Sequence, residues 1–223
     1  MKCITLIIPI QRDMENENCI LRLSRYKNSL LKLRYLGLAR VFSENLADAA
    51  GVTASQVRKD FSILGIRGNR RGGYQVDQLI MQMRKILGKD KVHNFVLVGI
   101  GNLGKALLRY PGFEKSSIKI LASFDIDPAK MESETNIPIL PLEELEGYIQ
   151  KKQIQFGIIS VPDFAAQQVC QIMVRAGIKG ILNFAPIRLK VPEDYVIRNI
   201  NLETELENII YFVNAAKKKG KQP

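Results

Sequence analysis

Residues 94–110, NFVLVGIGNLGKALLRY, set an apolar run directly against glycines at positions 99, 101 and 104. Few folds accommodate that combination. A continuous apolar run bounded by turn residues predicts a strand buried on both faces, as in a parallel sheet. The spacing G-x-G-x-x-G lets the chain turn tightly, bring its backbone close to a pyrophosphate and pack the next helix against the strand. The helix that follows supplies free amides and a positive dipole end for phosphates. Gly99, Gly101, Asn102, Leu103 and Gly104 are therefore the expected phosphate-side residues of a nucleotide site.

A second predicted strand, IKILASFD, ends in Asp125, 21 residues after Gly104. A carboxylate there can accept from ribose hydroxyls and oppose a 2′-phosphate, which favours NAD(H) over NADP(H). The alternative is an ordinary strand-end turn in DIDP. FGIISV and GIKGILNFAP read as further buried strands, with the helix DFAAQQVCQIMVRAG between them turning Phe164, Val169, Met173 and Val174 mostly inward. Ligands of such sheets lie at the carboxyl ends of the strands. Val161, Pro162, Asn183 and Phe184 fall there and are candidates for the nicotinamide side, ordinary loop packing being the alternative. YVIRNI is a last strand. The closing segment NLETELENIIYFVNAAKKKGK carries Leu202, Leu206, Ile209, Ile210 and Val213 as a helical stripe, a docking surface within the subunit or across a dimer.

The glycine motif starts more than 90 residues into the chain, and charge distinguishes what precedes it. Residues 1–91 carry 17 Lys and Arg against 8 Asp and Glu, a net of +9. Residues 92–223 carry 16 against 14, a net of +2. A basic front third suggests a polyanionic partner, with a solvated basic surface as the plainer reading.

Local patterns sharpen this. ILRLSRYKNSLLKLRYLG places Leu23, Tyr26, Leu30 and Leu33 at helical spacing, ended by Gly37. SENLADAAG is a short helix with Ser43 as its expected N-cap and Gly51 as its stop. TASQ reads as a capping box in which Thr53 caps the Gln56 amide and Gln56 reaches back. The helix it opens buries Val57, Phe61 and Leu64 and leaves Ser55, Gln56, Arg58, Lys59 and Ser62 outward. A short helix, a glycine turn and a polar-faced second helix make a helix-turn-helix pattern. Arginine and lysine can donate to guanine, and glutamine can pair with adenine. GIRGNRRGGYQV then reads as a basic β-wing, with Arg67, Arg70 and Arg71 suited to phosphates or a narrow minor groove. The expected DNA surface is thus Thr53, Ser55, Gln56, Arg58, Lys59, Arg67, Arg70 and Arg71, the alternative being a helical bundle for protein contacts. VDQLIMQMRKILG adds a helix with Leu79, Met83, Ile86 and Leu87 on one face, Asp77 in front and Gly88 behind. KDKVH is the expected boundary between units.

The fold class expected is α/β: a winged helix-turn-helix over 20–90, a doubly wound Rossmann-like parallel sheet over 91–200, and a C-terminal helix over 201–223. Residues 1–19 form an N-terminal extension, and Met14 is an alternative start. The apolar run CITLIIPI has eight residues, against about 20 for a membrane span, and no cleavage site follows it. Cys3, Cys19 and Cys170 are widely spaced, with no CxxC and one histidine, His93. Neither a disulfide framework nor a zinc site is expected, no metal or membrane partner is implied, and a reducing cytoplasm fits.

A dehydrogenase would need an acid–base side chain at the crevice and a substrate domain. His93 precedes the first strand, at the wrong end, and the basic helical unit makes a poor substrate lid. A nucleotide bound without turnover is the better expectation, with an oxidoreductase or a CoA-binding protein as alternatives.

TASQVRKDFSILG, RRGGY, GIGNLGKALLRYPGF, FDIDP and AGIKGILNFAP, in that order, closely resemble the Rex family of redox-sensing transcriptional repressors. The resemblance runs from about residue 20 to residue 213. It implies a homodimer of winged-helix and Rossmann domains with the C-terminal helix exchanged between subunits. It further implies a palindromic DNA operator held while NAD⁺ prevails and released when NADH binds the same pocket. Many members carry an Arg on the first helix and an Asp opening the C-terminal helix, which form a charged contact between subunits. Aligned on Arg22-Leu23, this chain has Asn28 and Asn201 there, so both charges are absent together.

Overall fold

In the computed structural model the chain divides into two compact units, with the division falling between Lys91 and Val92. The structure describes residues 13–69, 71–113, 116–127 and 136–219. The expectation for Arg70 and most of the N-terminal extension lies outside them.

Among the described residues, the first unit carries four helices: α1 (Asp13–Tyr35), α2 (Ser43–Ala50), α3 (Ala54–Ile63) and α4 (Val76–Ile86). α1 runs across the boundary expected at residue 20. Its Leu23, Tyr26 and Leu30 are buried, one helical face at i, i+3 and i+7 spacing. Gly37 ends it in a left-handed conformation (φ 85°), with Leu38 N–H bonded to Leu33 O and Gly37 N–H to Arg34 O. Strands β1 (Arg40–Val41) and β2 (Tyr74–Gln75) pair antiparallel and frame the wing. Val41, Leu46, Val57, Phe61, Leu79 and Met83 close the core around Tyr26. Edge-to-face contacts run from Tyr26 to Phe61 and on to Tyr74, with centroids 5.8 and 5.0 Å apart.

Three local expectations need correction here. The N-cap of α2 is Phe42, not Ser43: Ser43 is buried as the first helical residue, and the Phe42 N–H is taken by Asn45 Oδ1 at 3.0 Å. Only half the capping box of α3 forms. Thr53 Oγ1 accepts from Gln56 N–H at 3.2 Å, while the Gln56 side chain goes to Asp60. On α4 the buried residues are Val76, Leu79, Ile80 and Met83. Ile86 is exposed and Leu87 half-buried, because α4 is capped by Gln75 and ends before Leu87, which shifts its inner stripe towards its N-terminus.

The second unit carries six parallel strands: β3 (His93–Val98), β4 (Ile118–Asp125), β5 (Ile139–Pro141), β6 (Phe156–Ile159), β7 (Gly180–Asn183) and β8 (Val196–Asn199). Their order across the sheet is β5-β4-β3-β6-β7-β8. The chain winds outward from β3 in one direction and then from β6 in the other, the doubly wound arrangement expected. Its topological switch point lies between β3 and β6. Helices α6 (Leu145–Lys152) and α7 (Asp163–Ala176) supply Leu145, Ile149, Val169 and Met173 to one apolar cluster. Leu107 and Leu108 of α5 (Asn102–Leu108) pack on a second, which includes Leu97, Ile120 and Ile158. Two clusters around one sheet explain why the strands read as unbroken apolar runs. β5 and α6 had no clear counterpart in the sequence reading.

Helix α8 (Leu202–Lys219) ends the described chain. Leu202, Leu206, Ile209, Ile210, Tyr211, Phe212 and Val213 stand between 49% and 67% exposed on it. The stripe is there as expected, and it stands exposed.

Candidate nucleotide and DNA sites

A cavity of about 480 Å³ opens at the carboxyl ends of the strands, at the switch point. Gly99, Gly101, Asn102 and Leu103 line it after β3, Asp125 and Ile126 at the end of β4, Val161 and Pro162 after β6, and Phe184 after β7. Small-molecule sites commonly occupy about 300–1,000 Å³.

The three glycines differ in what they do. Gly99 adopts φ 98°, and a Cβ there would come within 2.5 Å of Ser160 O. A Cβ on Gly104 would collide with the Gly99 carbonyl oxygen. Gly104 is buried and lies behind the cavity wall, so its contribution is helix-to-strand packing. Gly101, the N-cap of α5, would meet nothing within 4 Å. Its open side leaves room for a phosphate to approach the backbone. Ser160 closes the floor between β3 and β6: its hydroxyl lies 3.2 Å from Val98 O and 2.9 Å from Gly99 O, sharing one proton between them.

Asp125 is 6% exposed at the cavity edge. Its Oδ2 accepts from Ile100 N–H at 2.6 Å and its Oδ1 from Asp127 N–H at 3.0 Å. The carboxylate therefore also holds the glycine loop against the end of β4.

Two expectations fail here. Asn183 does not line the cavity. It is fully buried, and its amide donates to Ala185 O, Ile187 O and Asn199 Oδ1, while its Oδ1 accepts from Ala185 N–H. It shapes the turn that carries Phe184 to the cavity. Phe164, expected inward on α7, is 84% exposed and stands at the cavity instead. It is the second residue of α7, and the buried residues of that helix begin only at Ala166.

In the first unit, Ser55, Arg58, Lys59 and Ser62 of α3 are exposed as expected. Arg58 reaches Glu44 on α2 at 3.1 Å, an exposed pair of low net value. Thr53 and Ser55 share a hydroxyl contact of 2.9 Å at the start of α3. Gln56 is half-buried, and its amide nitrogen is bonded to Asp60. In the wing, Asn69 and Gly73 exchange two backbone bonds, and Asn69 Oδ1 accepts from Arg71 and Gly72 N–H. That self-closed loop presents Arg67 and Arg71 to solvent. Arg40 and Arg67 flank a polar groove that also includes Gln78 and Gln82, neither of which the sequence suggested.

The sequence reading also missed the anchor of α3. Asp60 is 0% exposed and takes Arg22 Nε at 2.7 Å, Arg22 Nη2 at 2.8 Å, Tyr26 Oη at 2.7 Å and Gln56 Nε2 at 2.8 Å. Burial works against its charge, but these bonds outweigh that and hold its carboxyl below the usual range. The signal was available: Arg22 and Tyr26 lie one turn apart on the buried face of α1. Nearby Cys19 is buried and its thiol is pushed up to about 11 by burial and by Asp60, so it stays protonated. Among the described residues no His, Cys, Asp and Glu cluster could hold a metal ion. No described helix is long and apolar enough to cross a membrane.

Fold and sites define a class: a winged helix-turn-helix unit followed by a Rossmann-like nucleotide-binding unit. Family models agree on both halves, "CoA binding domain" matching residues 90–187 and "Putative DNA-binding protein N-terminus" residues 17–62. The redox-sensing transcriptional repressor Rex of Desulforamulus reducens is 42% identical over 91% of this chain and 97% of its own. Rex of Lactobacillus gasseri is 39% identical over 90% and 94%. The crystal structure of RSP with β-NAD⁺ and operator DNA superposes with a TM-score of 0.86 at 36% identity, covering 98% of this chain and 100% of that one. RSP with β-NADH gives 0.82 at 35% identity, covering 97% and 99%. This chain belongs to the Rex family of redox-sensing transcriptional repressors.

Proposed function

We infer that this chain is a transcriptional repressor that reads the NADH/NAD⁺ ratio, a regulator rather than an enzyme. It binds a palindromic operator through its first unit and leaves DNA when NADH occupies its second. The observation that carries this reading is full-length similarity to Rex repressors, together with a cavity at the sheet's switch point in one unit and a polar recognition helix with a basic wing in the other.

NAD(H) fits the cavity on the residues present. Gly101 leaves room for the pyrophosphate, Asp125 stands where ribose hydroxyls would arrive, and Val161, Pro162 and Phe184 form an apolar wall for the nicotinamide. The matched model's name raises CoA as a second reading. A carboxylate at the ribose opposes it, because CoA carries a 3′-phosphate there. Thr53, Ser55, Gln56, Arg58, Lys59 and the arginines of the wing are the DNA-side residues on this reading. The exposed stripe on α8 supports a homodimer, and a palindrome requires matching two-fold symmetry. A DNA-binding regulator with this composition belongs in the cytoplasm.

The mechanism is linkage: NADH can eject DNA only to the extent that it prefers the released conformation. A mobility-shift assay on a palindromic duplex, titrated with NADH and then NAD⁺, tests the reading. Release by NADH and re-binding as NAD⁺ competes for the site are expected. Indifference to both cofactors, or steady turnover of NADH with a carbonyl substrate, overturns it.

A further inference from the structure

Gln56 sits beside Asn18, Arg22 and Lys59 around a small polar groove next to α3. Its amide is not free to turn. The nitrogen donates to Asp60 Oδ1 at 2.8 Å, and Asp60 is buried in bidentate contact with the Arg22 guanidinium. A carboxylate held this way is ionised, and an ionised carboxylate only accepts. Of the two ends of the Gln56 amide, only the NH₂ can face it. Chemistry rather than rotamer preference therefore sets which way the amide lies. The other branch, Oε1, is an acceptor of fixed position. Arg58 and Lys59 on the same helix can only donate, and the hydroxyls of Ser55 and Ser62 rotate to either role.

We propose that Asp60 is a positioning residue that determines what Gln56 reads: the locked amide presents an acceptor and so selects a base whose major-groove edge carries an amino group. Adenine N6 and cytosine N4 are such donors. Adenine is favoured, because the second amide hydrogen of Gln56 can reach its N7 while Oε1 accepts from N6. Guanine and thymine present acceptors at that point of the groove and are disfavoured. This inference rests on the reading that α3 enters the major groove.

Asp60→Asn is the informative change. The remaining oxygen can keep the bonds from Arg22 Nε and Tyr26 Oη, both now on Oδ2. The new NH₂ then replaces Oδ1, the acceptor of both Arg22 Nη2 and Gln56 Nε2. The guanidinium gives up its Nη2 bond and stays on Oδ2 through Nε, while the Gln56 amide reverses and turns its own NH₂ outward.

The test is selection of duplexes with a randomised core by the full chain, followed by sequencing and by anisotropy titrations on single base-pair variants. The proteins compared are wild type, Gln56→Met and Asp60→Asn, with folding checked by circular dichroism. Wild type is expected to prefer adenine at one symmetric base pair by about ten-fold or more. Gln56→Met, close in shape but without hydrogen-bonding groups, should lose preference at that pair alone. Asp60→Asn should shift it towards guanine or thymine, which a merely structural role for Asp60 would not do. Unchanged preference in Gln56→Met overturns the proposal, and so does an unshifted preference in folded Asp60→Asn. Should Asp60→Asn fail to fold, Gln56→Met alone decides. A wild type with no sequence preference at any position removes the DNA-binding reading itself, and this proposal with it.

Discussion

Arg22 on α1 holds Asp60 on α3 with two parallel bonds of 2.7 and 2.8 Å, around a carboxylate that solvent does not reach. Removing the guanidinium strands a buried charge, which costs about 3–5 kcal/mol. Arg22→Ala should therefore lower the stability of the first unit by that order in urea denaturation. Acid should act on the same bond. The folded carboxyl titrates below its ordinary value of 3.8, so its stabilisation is complete above that pH and is lost as pH falls through the lower folded value. Wild type should show an added loss of stability below about pH 4 that Arg22→Ala lacks. Equal acid sensitivity in both would remove the pair from the stability account.

Gly101 and Gly104 share a motif and should separate on mutation. Gly104→Ala drives a methyl into the Gly99 carbonyl, and overpacking of this kind costs about 1–3 kcal/mol. Gly101→Ala meets nothing in the protein, so its melting temperature should hold while NADH affinity falls. Thermal unfolding and NADH fluorescence titration on both variants check this. A stable Gly104→Ala, or a Gly101→Ala that binds NADH normally, contradicts the division of labour.

Asp125 should reject a 2′-phosphate. One NADH per subunit is expected in calorimetry, with NADPH binding at least about ten-fold more weakly, a difference of 1.4 kcal/mol. Equal affinities would take Asp125 away from the ribose. Tight CoA binding without NADH binding would favour the second reading of the cavity.

On the DNA side, Lys59→Ala should cost about 1–3 kcal/mol and relax specificity at one base pair. Arg67→Ala and Arg71→Ala should weaken binding to all sequences and each reduce the salt slope by about one. Operator titrations at several salt concentrations distinguish the two behaviours. Wild-type affinity throughout the set would move the DNA surface off α3 and the wing.

Asn201 caps α8, its Oδ1 accepting from Glu203 and Thr204 N–H at 3.0 and 3.2 Å. Asp caps as well as Asn, so Asn201→Asp should leave the helix intact. The family resemblance pairs this position with Asn28 of the other subunit. Two neutral amides contribute about 0.5–1.5 kcal/mol net, less than a charged pair, so a shallow NADH response is expected. Asn28→Arg with Asn201→Asp should steepen it. A double-mutant cycle on operator affinity, with and without NADH, reads the coupling; zero in both states means the positions do not meet.

The nucleotide unit was legible because its signals are local. An apolar run, glycines at fixed spacing and a strand-end carboxylate each depend on a few neighbouring residues, and the cavity formed where they pointed. The misses come from competition over distance. Gln56 matched a capping box, but a buried carboxylate one turn along is a stronger acceptor than the backbone amide is a donor. Asn183 stood at the right strand end, yet its amide found all its partners in its own turn and in Asn199 at the end of β8. Phe164 followed the apolar rule for α7, but it lies in the first turn, before the buried residues of that helix begin. None of these contests can be scored without the fold that brings the rivals together.

The Ser160 hydroxyl bridges the ends of β3 and β6 within the protein's own framework. The cavity floor is thus held together by protein atoms alone, and no binding energy is consumed in assembling it. What the two oxidation states of a nicotinamide differ by is a single hydride, a small lever. A rigid seat transmits all of that difference to whatever parts of the molecule do move, where a soft one would absorb it.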